Sequence, residues 1–255
     1  MDFLTSKPVC TPMVKTTPLH QQDNDPYNDP VLYRQLVGRL LYLTNTRPDL
    51  SFAIQHLRQF MAAPTIKHYK AMTCVLRHIK GTIGQGLFYP NHSIIQINGF
   101  SEYYWASCPD TRCSISSYLM FLGDSLIYWK SKKQNTVSRS SFEVEYYALA
   151  IATCEIQWLT YLLQDFQISF KEPALLYCDN ASARCIASNA LFHERTKYIE
   201  IDCHVVRERL QHKLFHLLPI TTEEQVVDLL TKPLEPKPFS YLLRKLVIEN
   251  LFSPA

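Results

Sequence analysis

Four acidic residues on four separate predicted elements are the positions of this chain whose side chains could do chemistry. They are Glu102, Glu145, Asp179 and Asp228. Mg²⁺ prefers hard oxygen ligands, and two such ions can bridge one scissile phosphate. Acids that converge from distant parts of a chain therefore suggest a two-metal site for phosphodiester hydrolysis.

Three of these acids also have a purely structural interpretation. Glu145 falls on the apolar face of a long predicted helix, where an unpaired carboxylate is costly to bury, but the helix dipole also favours an acid near a helix start. Asp179 ends a short apolar strand and could equally be the N-cap of the next helix. Asp228 fits the solvent face of a short amphipathic helix. The local pattern leaves these alternatives open.

Basic residues form two clusters that could hold the phosphates of a nucleic acid. The first contains Lys130, Lys132, Lys133 and Arg139, and the second contains Arg195 and Lys197. Asn180, beside Asp179, is a further candidate for nucleic-acid contact. Basic clusters are usually solvated surface, and the net charge of +3 permits such a partner without requiring it.

The composition is that of a folded intracellular protein. Apolar residues make up 47% of the 255 residues, which is enough for a packed core. No apolar run is long enough to span a bilayer. The eight cysteines contain no C-x-x-C pair, so no zinc site is predicted. Most of them lie in apolar segments, which indicates buried, reduced thiols.

The predicted elements place the acids on an α/β framework. Residues 1–29 are rich in Pro, Thr, Asp and Asn, which predicts an extended linker or arm. Residues 30–84 follow a helical period over three helices that are separated at prolines. Residues 92–232 predict three antiparallel strands, then helix, strand, two helices, strand and helix, so we expect a mixed sheet flanked by helices. Residues 233–255 are predicted to form a tail with a short helix at Tyr241–Val247. The second of the two helices before the last strand is predicted at about Thr196–Gln211.

Local signals predict where individual helices start. Asp29-Pro30 predicts the start of the first helix, and Ser140-x-x-Glu143 predicts a capping box at the start of the longest one. Thr221-x-x-Glu224 predicts the start of a helix that would carry Asp228. The apolar face of the longest helix is predicted to contain Glu145, Leu149, Ala152, Ile156, Leu159 and Leu163.

Three longer motifs contain the later acids. They are Ser140-Ser141-Phe142-Glu143-Val144-Glu145-Tyr146, Tyr177-Cys178-Asp179-Asn180-Ala181-Ser182-Ala183 and Asp228-Leu229-Leu230-Thr231-Lys232-Pro233. As a set they resemble the C-terminal part of a copia-type LTR retrotransposon Pol polyprotein, whose patterns are S-S-x-E-A-E-Y, Y-C-D-N-x-S-A and A-D-x-L-T-K-P. Thr46-Arg47-Pro48-Asp49-Leu50 resembles the family's connection between reverse transcriptase and RNase H. The resemblance covers about residues 7–250.

The resemblance implies an RNase H-like fold for residues 92–232 and hydrolysis of the RNA strand of an RNA–DNA hybrid. It assigns two Mg²⁺ ions to the four acids, and it implies neither a small-molecule cofactor nor a membrane partner. The reverse transcriptase palm, which this family has upstream, lies outside the resemblance. The expected location is intracellular: the cytoplasm, a virus-like particle or the nucleus.

The first acidic motif departs from the family pattern S-D-A-D-W-A. Here it is Ser101-Glu102-Tyr103-Tyr104-Trp105-Ala106, so Glu102 replaces one Asp and Tyr104 replaces the other. The extra methylene of Glu moves the carboxylate by roughly 1.5 Å, and misplacements near 1 Å can cost about 10²-fold in rate. We therefore expect an RNase H of impaired activity. The alternative is a catalytically dead nucleic-acid-binding or structural remnant of a retrotransposon polyprotein.

Overall fold

The computed structural model describes residues 5–15, 18–23, 25–168, 172–188, 200–250 and 252. Within these ranges the α-helices are α1 (Pro30–Leu43), α2 (Ser51–Arg58), α3 (Ile66–Gly81), α4 (Ser141–Asp165), α5 (Ala181–Ser188), α6 (Glu200–Gln211), α7 (Asp228–Thr231) and α8 (Pro236–Lys245). The strands are β1 (Gln85–Leu87), β2 (Ile97–Tyr104), β3 (Ile115–Leu122), β4 (Ser125–Lys133), β5 (Ala174–Cys178), β6 (Phe215–Pro219) and β7 (Ile248–Asn250).

The chain divides into two compact units. The helical unit comprises residues 1–88, 108–111 and 228–255, and the sheet unit comprises residues 89–107 and 112–227. No helix among the described residues combines the length and the apolar character needed to cross a membrane.

The sheet unit is built on a five-stranded sheet with the order β4-β3-β2-β5-β6. Strands β2, β3 and β4 are antiparallel, while β5 is parallel to β2 and β6 is parallel to β5. Gly123 has φ +59° in the turn between β3 and β4, a conformation that favours glycine. The parallel strands need crossover connections, which contain α4 before β5 and α5 and α6 before β6. The predicted mixed α/β sheet, three antiparallel strands with two parallel additions, is confirmed.

Helix α4 packs on this sheet through the apolar face that the sequence predicts. The buried residues of that face include Glu145, Leu149, Ala152, Ile156, Leu159 and Leu163. Gly99 on β2 allows the close approach: a Cβ there would come within 3.0 Å of Met120 Sδ and 3.3 Å of Ile156 Cδ1. The sheet and α4, together with residues of α5 and α6, form the core of this unit.

The helical unit contains α1, α2 and α3 together with a two-stranded sheet in which β1 pairs with β7. Asp29 caps α1 as predicted, since its carboxylate accepts a hydrogen bond from the Leu32 N–H at 2.9 Å. The arm before α1 is held by α3: Arg77 Nε donates to the Lys7 carbonyl at 2.7 Å, and Lys80 Nζ donates to the Ser6 carbonyl at 2.8 Å.

Three local predictions need correction. Thr221 precedes only a 3-10 turn, Thr222–Glu224, and Asp228 begins the separate helix α7. The predicted capping box is half formed: Ser140 Oγ accepts from the Glu143 N–H at 3.2 Å, but the Glu143 carboxylate accepts from the Arg139 N–H. All eight cysteines are free thiols, but three of them are exposed, namely Cys10, Cys154 and Cys185.

The last helix also differs from its prediction. Helix α8 begins at Pro236, because proline in the first turn loses no intrahelical hydrogen bond. The predicted helix over residues 196–211 corresponds to α6, and the part before Glu200 lies outside the described residues.

A buried ion pair joins the Arg47-Pro48-Asp49 segment to α3. Arg47 Nε and Nη2 donate to the two Asp49 oxygens at 2.8 and 2.7 Å, and Arg47 Nη1 donates to the Thr82 carbonyl at 3.0 Å. His78 Nε2 lies 3.6 Å from Asp49 Oδ2. The Arg47 guanidinium beside it keeps the pKa of Asp49 below its usual range although burial opposes this.

Removing one member of this pair should destabilise the helical unit strongly. Asp49→Ala leaves the buried Arg47 charge without its partner, so we expect the free energy of unfolding to fall by about 3–5 kcal/mol in urea denaturation. Lys67→Ala is the control, because its pair with Asp23 is more exposed, and such pairs contribute about 1 kcal/mol or less. Equal decreases in the free energy of unfolding of the two variants would contradict a special stabilising role of the buried Arg47–Asp49 pair.

Candidate metal centre

Three of the four predicted acids come together in the sheet unit. Glu102 lies on β2, Glu145 in the second turn of α4 and Asp179 directly after β5. Each offers a carboxylate oxygen, and these oxygens lie within 4.8 Å of one another. Glu102 and Glu145 are buried, whereas Asp179 is half-buried.

The parallel pairing of β2 and β5 explains two of these positions. Phe100 on β2 pairs with Tyr177 on β5, and Glu102 and Asp179 each follow that pair by two residues. They therefore reach the same edge of the sheet, where the carboxyl ends of parallel strands form ligand sites. Glu145 reaches this edge from α4, which packs against β2.

Asn180, not Asp179, caps the helix that follows. Asn180 Oδ1 accepts a hydrogen bond from the Ala183 N–H at 3.0 Å. Asp179 Oδ2 instead accepts from Thr222 Oγ1 at 3.3 Å. The N-cap interpretation of Asp179 is therefore wrong, and its carboxylate remains part of the acidic cluster.

Glu145 is the most buried acid of the cluster, with 0% of its surface exposed. Its Oε1 accepts a hydrogen bond from Cys178 Sγ at 3.1 Å, and its Oε2 has no hydrogen-bond partner among the described residues. Burial raises the pKa of Glu145 to about 7, and the nearby Asp179 adds to this rise. A buried carboxylate oxygen without a hydrogen bond is costly. A hard divalent cation would satisfy it, so this donor set fits Mg²⁺.

Asp228 is buried as well, with 5% of its surface exposed, so the solvent-face interpretation is wrong. Its Oδ1 lies 2.8 Å from Lys232 Nζ. Asp228 begins α7, which belongs to the helical unit, whereas the other three acids belong to the sheet unit. Its membership of the metal centre stays a prediction.

The altered first motif keeps a regular strand geometry. Glu102 pairs with Ser117 on β3, and Tyr104 at the end of β2 pairs with Ile115. The Tyr104 side chain is 40% exposed. Burial, followed by the charges of Glu145 and Glu102, raises the pKa of the neighbouring Tyr103. The two substitutions therefore change the side chains at this edge while β2 remains paired.

Two of the predicted basic residues line a cleft of about 470 Å³ in the sheet unit. They are Lys130 and Lys132 on β4, and the walls also include Ser116, Gln134 and Tyr147. Lys133 is half-buried and Arg139, just before α4, is exposed. Arg195 and Lys197 lie outside the described residues.

The sequence did not point to three polar partners of this edge. Cys178 donates to Glu145, Thr222 donates to Asp179, and Gln225 Nε2 donates to the Ser101 carbonyl at 3.1 Å. Cys178 is adjacent to Asp179 in sequence, which is a signal that could have drawn attention to it. Thr222 and Gln225 lie more than 40 residues from their partners, and no sequence pattern links them.

Comparison of the sequence identifies the family. No family model matches the chain. It is 38% identical over 245 residues to the Retrovirus-related Pol polyprotein from transposon RE2 of Arabidopsis thaliana, a match that covers 96% of this chain. The chain belongs to the Pol polyproteins of copia-type retrotransposons.

Other members of the copia-type Pol family agree with this assignment. The chain is 38% identical over 250 residues to the corresponding polyprotein from transposon RE1 of Arabidopsis thaliana, with 98% of this chain covered. It is 34% identical over 203 residues to the Pol polyprotein from transposon TNT 1-94 of Nicotiana tabacum, with 79% of this chain covered. The chain spans 17% of the length of the RE1 and RE2 polyproteins and 15% of that of TNT 1-94.

The solved structures similar to this copia-type Pol segment include two RNase H1 proteins. LC11-RNase H1, isolated from compost by a metagenomic approach, is 12% identical, and the match covers 59% of this chain and 99% of that one with a TM-score of 0.42. RNase H1 from the halophilic archaeon Halobacterium salinarum NRC-1 is 15% identical. The match covers 53% of this chain and 94% of that one, with a TM-score of 0.35.

The raised pKa of Glu145 predicts a pH-dependent cost to stability. Between the ordinary Glu pKa of 4.5 and about 7, the folded state keeps a proton that the unfolded state loses, so stability falls as pH rises through this window. Without divalent ions, Glu145→Gln should therefore stabilise the protein at pH 8 by up to about 3 kcal/mol, and much less at pH 5. Urea denaturation at both pH values measures the difference.

Glu143→Gln is the matched control for this experiment. Glu143 lies two residues earlier on α4 and is not part of the acidic cluster. Its substitution should not stabilise the protein at pH 8. A stabilisation by Glu145→Gln that is equal at the two pH values would show that burial of the charge is not its cause.

Proposed function

We propose that the sheet unit is a ribonuclease H-type endonuclease that hydrolyses the RNA strand of an RNA–DNA hybrid, with activity weakened by Glu102 and Tyr104. The observation that carries this proposal is the convergence of Glu102, Glu145 and Asp179 within 4.8 Å at one edge of the sheet. Membership of the copia-type Pol family, whose motifs surround Glu145 and Asp179, supports the assignment.

The three clustered acids would hold the metal ions, with Asp228 as the proposed fourth ligand. Bound Mg²⁺ would supply polarisation of the scissile phosphate and activation of the attacking water. The chain contributes the placement of the ligands. Glu145 is fixed by α4 and must lose its proton to bind a cation, while Thr222 orients Asp179 through its hydroxyl.

The hybrid would be held mainly through its phosphates and 2′-hydroxyls, without reading of the base sequence. Lys130 and Lys132 line a cleft whose walls also include Glu143 and Asp202, and each lysine could contact a phosphate. Arg139 is exposed immediately before α4, the helix that carries Glu145. Lys133, Asn180, Arg195 and Lys197 remain proposed contacts.

The catalytically dead remnant is the second candidate, and the first motif favours it. Two metal ions that share a phosphate lie ~3.5–4 Å apart and tolerate little error in the ligands. Glu102 is one methylene longer than the Asp of the family pattern, and Tyr104 brings a ring in place of an acid. Cleavage assays with Mn²⁺ and with a repaired first motif separate the two functions, because a remnant would not cut hybrid under either condition.

The natural chain should cleave a labelled RNA–DNA hybrid weakly or not at all with Mg²⁺. The longer Glu102 side chain misplaces one carboxylate, and a misplacement near 1 Å can cost about 10²-fold in rate. Mn²⁺ should restore part of the activity, because it demands less of the ligand geometry than Mg²⁺ does. Single-turnover cleavage with each ion is the measurement. Efficient turnover with Mg²⁺ would show that the first motif is not impaired.

Repair of the first motif should raise the cleavage rate. Glu102→Asp with Tyr104→Asp restores the family pattern at the position where Glu145 and Asp179 are already close together, so we expect an increase of about 10²-fold. The affinity for hybrid should change little, since contacts to phosphate dominate it. Single-turnover cleavage and binding are measured in parallel.

The repaired protein also supplies the control. Asp179→Asn in that background keeps the size of the side chain but removes a charged ligand, so cleavage should be lost. If the repaired protein folds and binds hybrid but stays inactive, the damage extends beyond the first motif. Phe142 and Val144, which precede Glu145 on α4, are then the next residues to replace.

A further inference from the structure

The thiol of Cys178 lies inside the metal centre, at the end of β5. It is fully buried, and its Sγ is 3.1 Å from Glu145 Oε1 and 3.7 Å from the Asn180 carbonyl oxygen. Arg184 donates to the Cys178 carbonyl and thereby fixes the backbone at this point. Of the two acceptors near the thiol, the carboxylate is the closer.

The thiol is a donor in this position. A carboxylate oxygen accepts hydrogen bonds and a thiol S–H donates them, so the 3.1 Å contact assigns the donor role to sulfur. A neutral donor can fix the orientation of a carboxylate without cancelling the negative charge that a cation needs. Lysine or arginine at this position would supply a competing positive charge instead.

The contact also distinguishes the two oxygens of Glu145. Oε1 accepts the S–H hydrogen bond, while Oε2 is buried and has no hydrogen-bond partner in the described part of the chain. Rotation of the carboxylate plane away from this orientation would break the contact with sulfur. The arrangement therefore has a preferred orientation before any ion binds.

We propose that Cys178 is a positioning residue, whose S–H hydrogen bond to Oε1 holds Glu145 with Oε2 available to a divalent cation. This inference rests on the proposed function, because it assigns the Glu145 carboxylate to a metal ion. Partners that orient metal ligands in this way typically contribute 10- to 100-fold to metal affinity. We expect a contribution in that range, toward its lower end because a thiol is a weak donor.

The test is calorimetric titration of the full chain with Mn²⁺ at pH 8, with no nucleic acid present. Cys178→Ala removes the donor and leaves a small gap, whereas Cys178→Val removes the donor but keeps the space filled. Cys178→Ser keeps a donor. Cys203→Ala is the control for the loss of a buried thiol, because Cys203 on α6 is also buried and its hydrogen-bond partner is Tyr146.

The expected result is that Cys178→Ala and Cys178→Val both weaken Mn²⁺ binding by about 10-fold or more, while Cys178→Ser and Cys203→Ala stay close to the natural protein. Weakening in Cys178→Ala alone would assign the effect to packing and overturn the inference. Unchanged affinity in both variants would overturn the inference while the proposed function stands. Absence of Mn²⁺ binding by the natural protein would overturn both. Thermal unfolding without metal verifies that each variant is folded.

Discussion

The parallel pairing of β2 with β5 is the constraint on which the candidate site depends. It places Glu102 and Asp179 at equivalent positions beyond the Phe100–Tyr177 pair, although 77 residues separate them in sequence. Any slip of one residue in this register would turn one of the two side chains to the opposite face of the sheet. The buried alternation of β2 and its continuous pairing with β3 hold the register in place.

Bringing the carboxylates of Glu102, Glu145 and Asp179 together lowers the stability of the fold. Glu145 has no exposed surface and shares its surroundings with Glu102 and Asp179, so its charged form is disfavoured. The rest of the unit compensates through apolar contacts between α4 and the sheet, where Gly99 permits close packing. A carboxyl group whose pKa is raised by burial beside other acids is typical of a functional site.

The sheet unit keeps a regular strand at the motif that departs from the family pattern. Glu102 and Tyr104 occupy paired positions at the end of β2, and the strand is regular from Ile97 to Tyr104. Backbone pairing places the positions, whereas the length and charge of the side chains determine whether they bind metal. The regular pairing of β2 therefore accommodates both substitutions, and their effect on metal binding is part of the proposed function.

The sequence by itself determined the mixed sheet, the long helix α4 with its buried face, the family, and the positions of the acids along the chain. These follow from local hydrophobic period and from motifs that need no knowledge of distant residues. The tertiary structure decided which side chains cap helices and which belong to the acidic cluster. Asn180 caps α5 and leaves Asp179 in the cluster. It also revealed the hydrogen bonds from Cys178 to Glu145 and from Thr222 to Asp179. Such contacts depend on strand register and helix packing, which bring together residues that no local pattern connects.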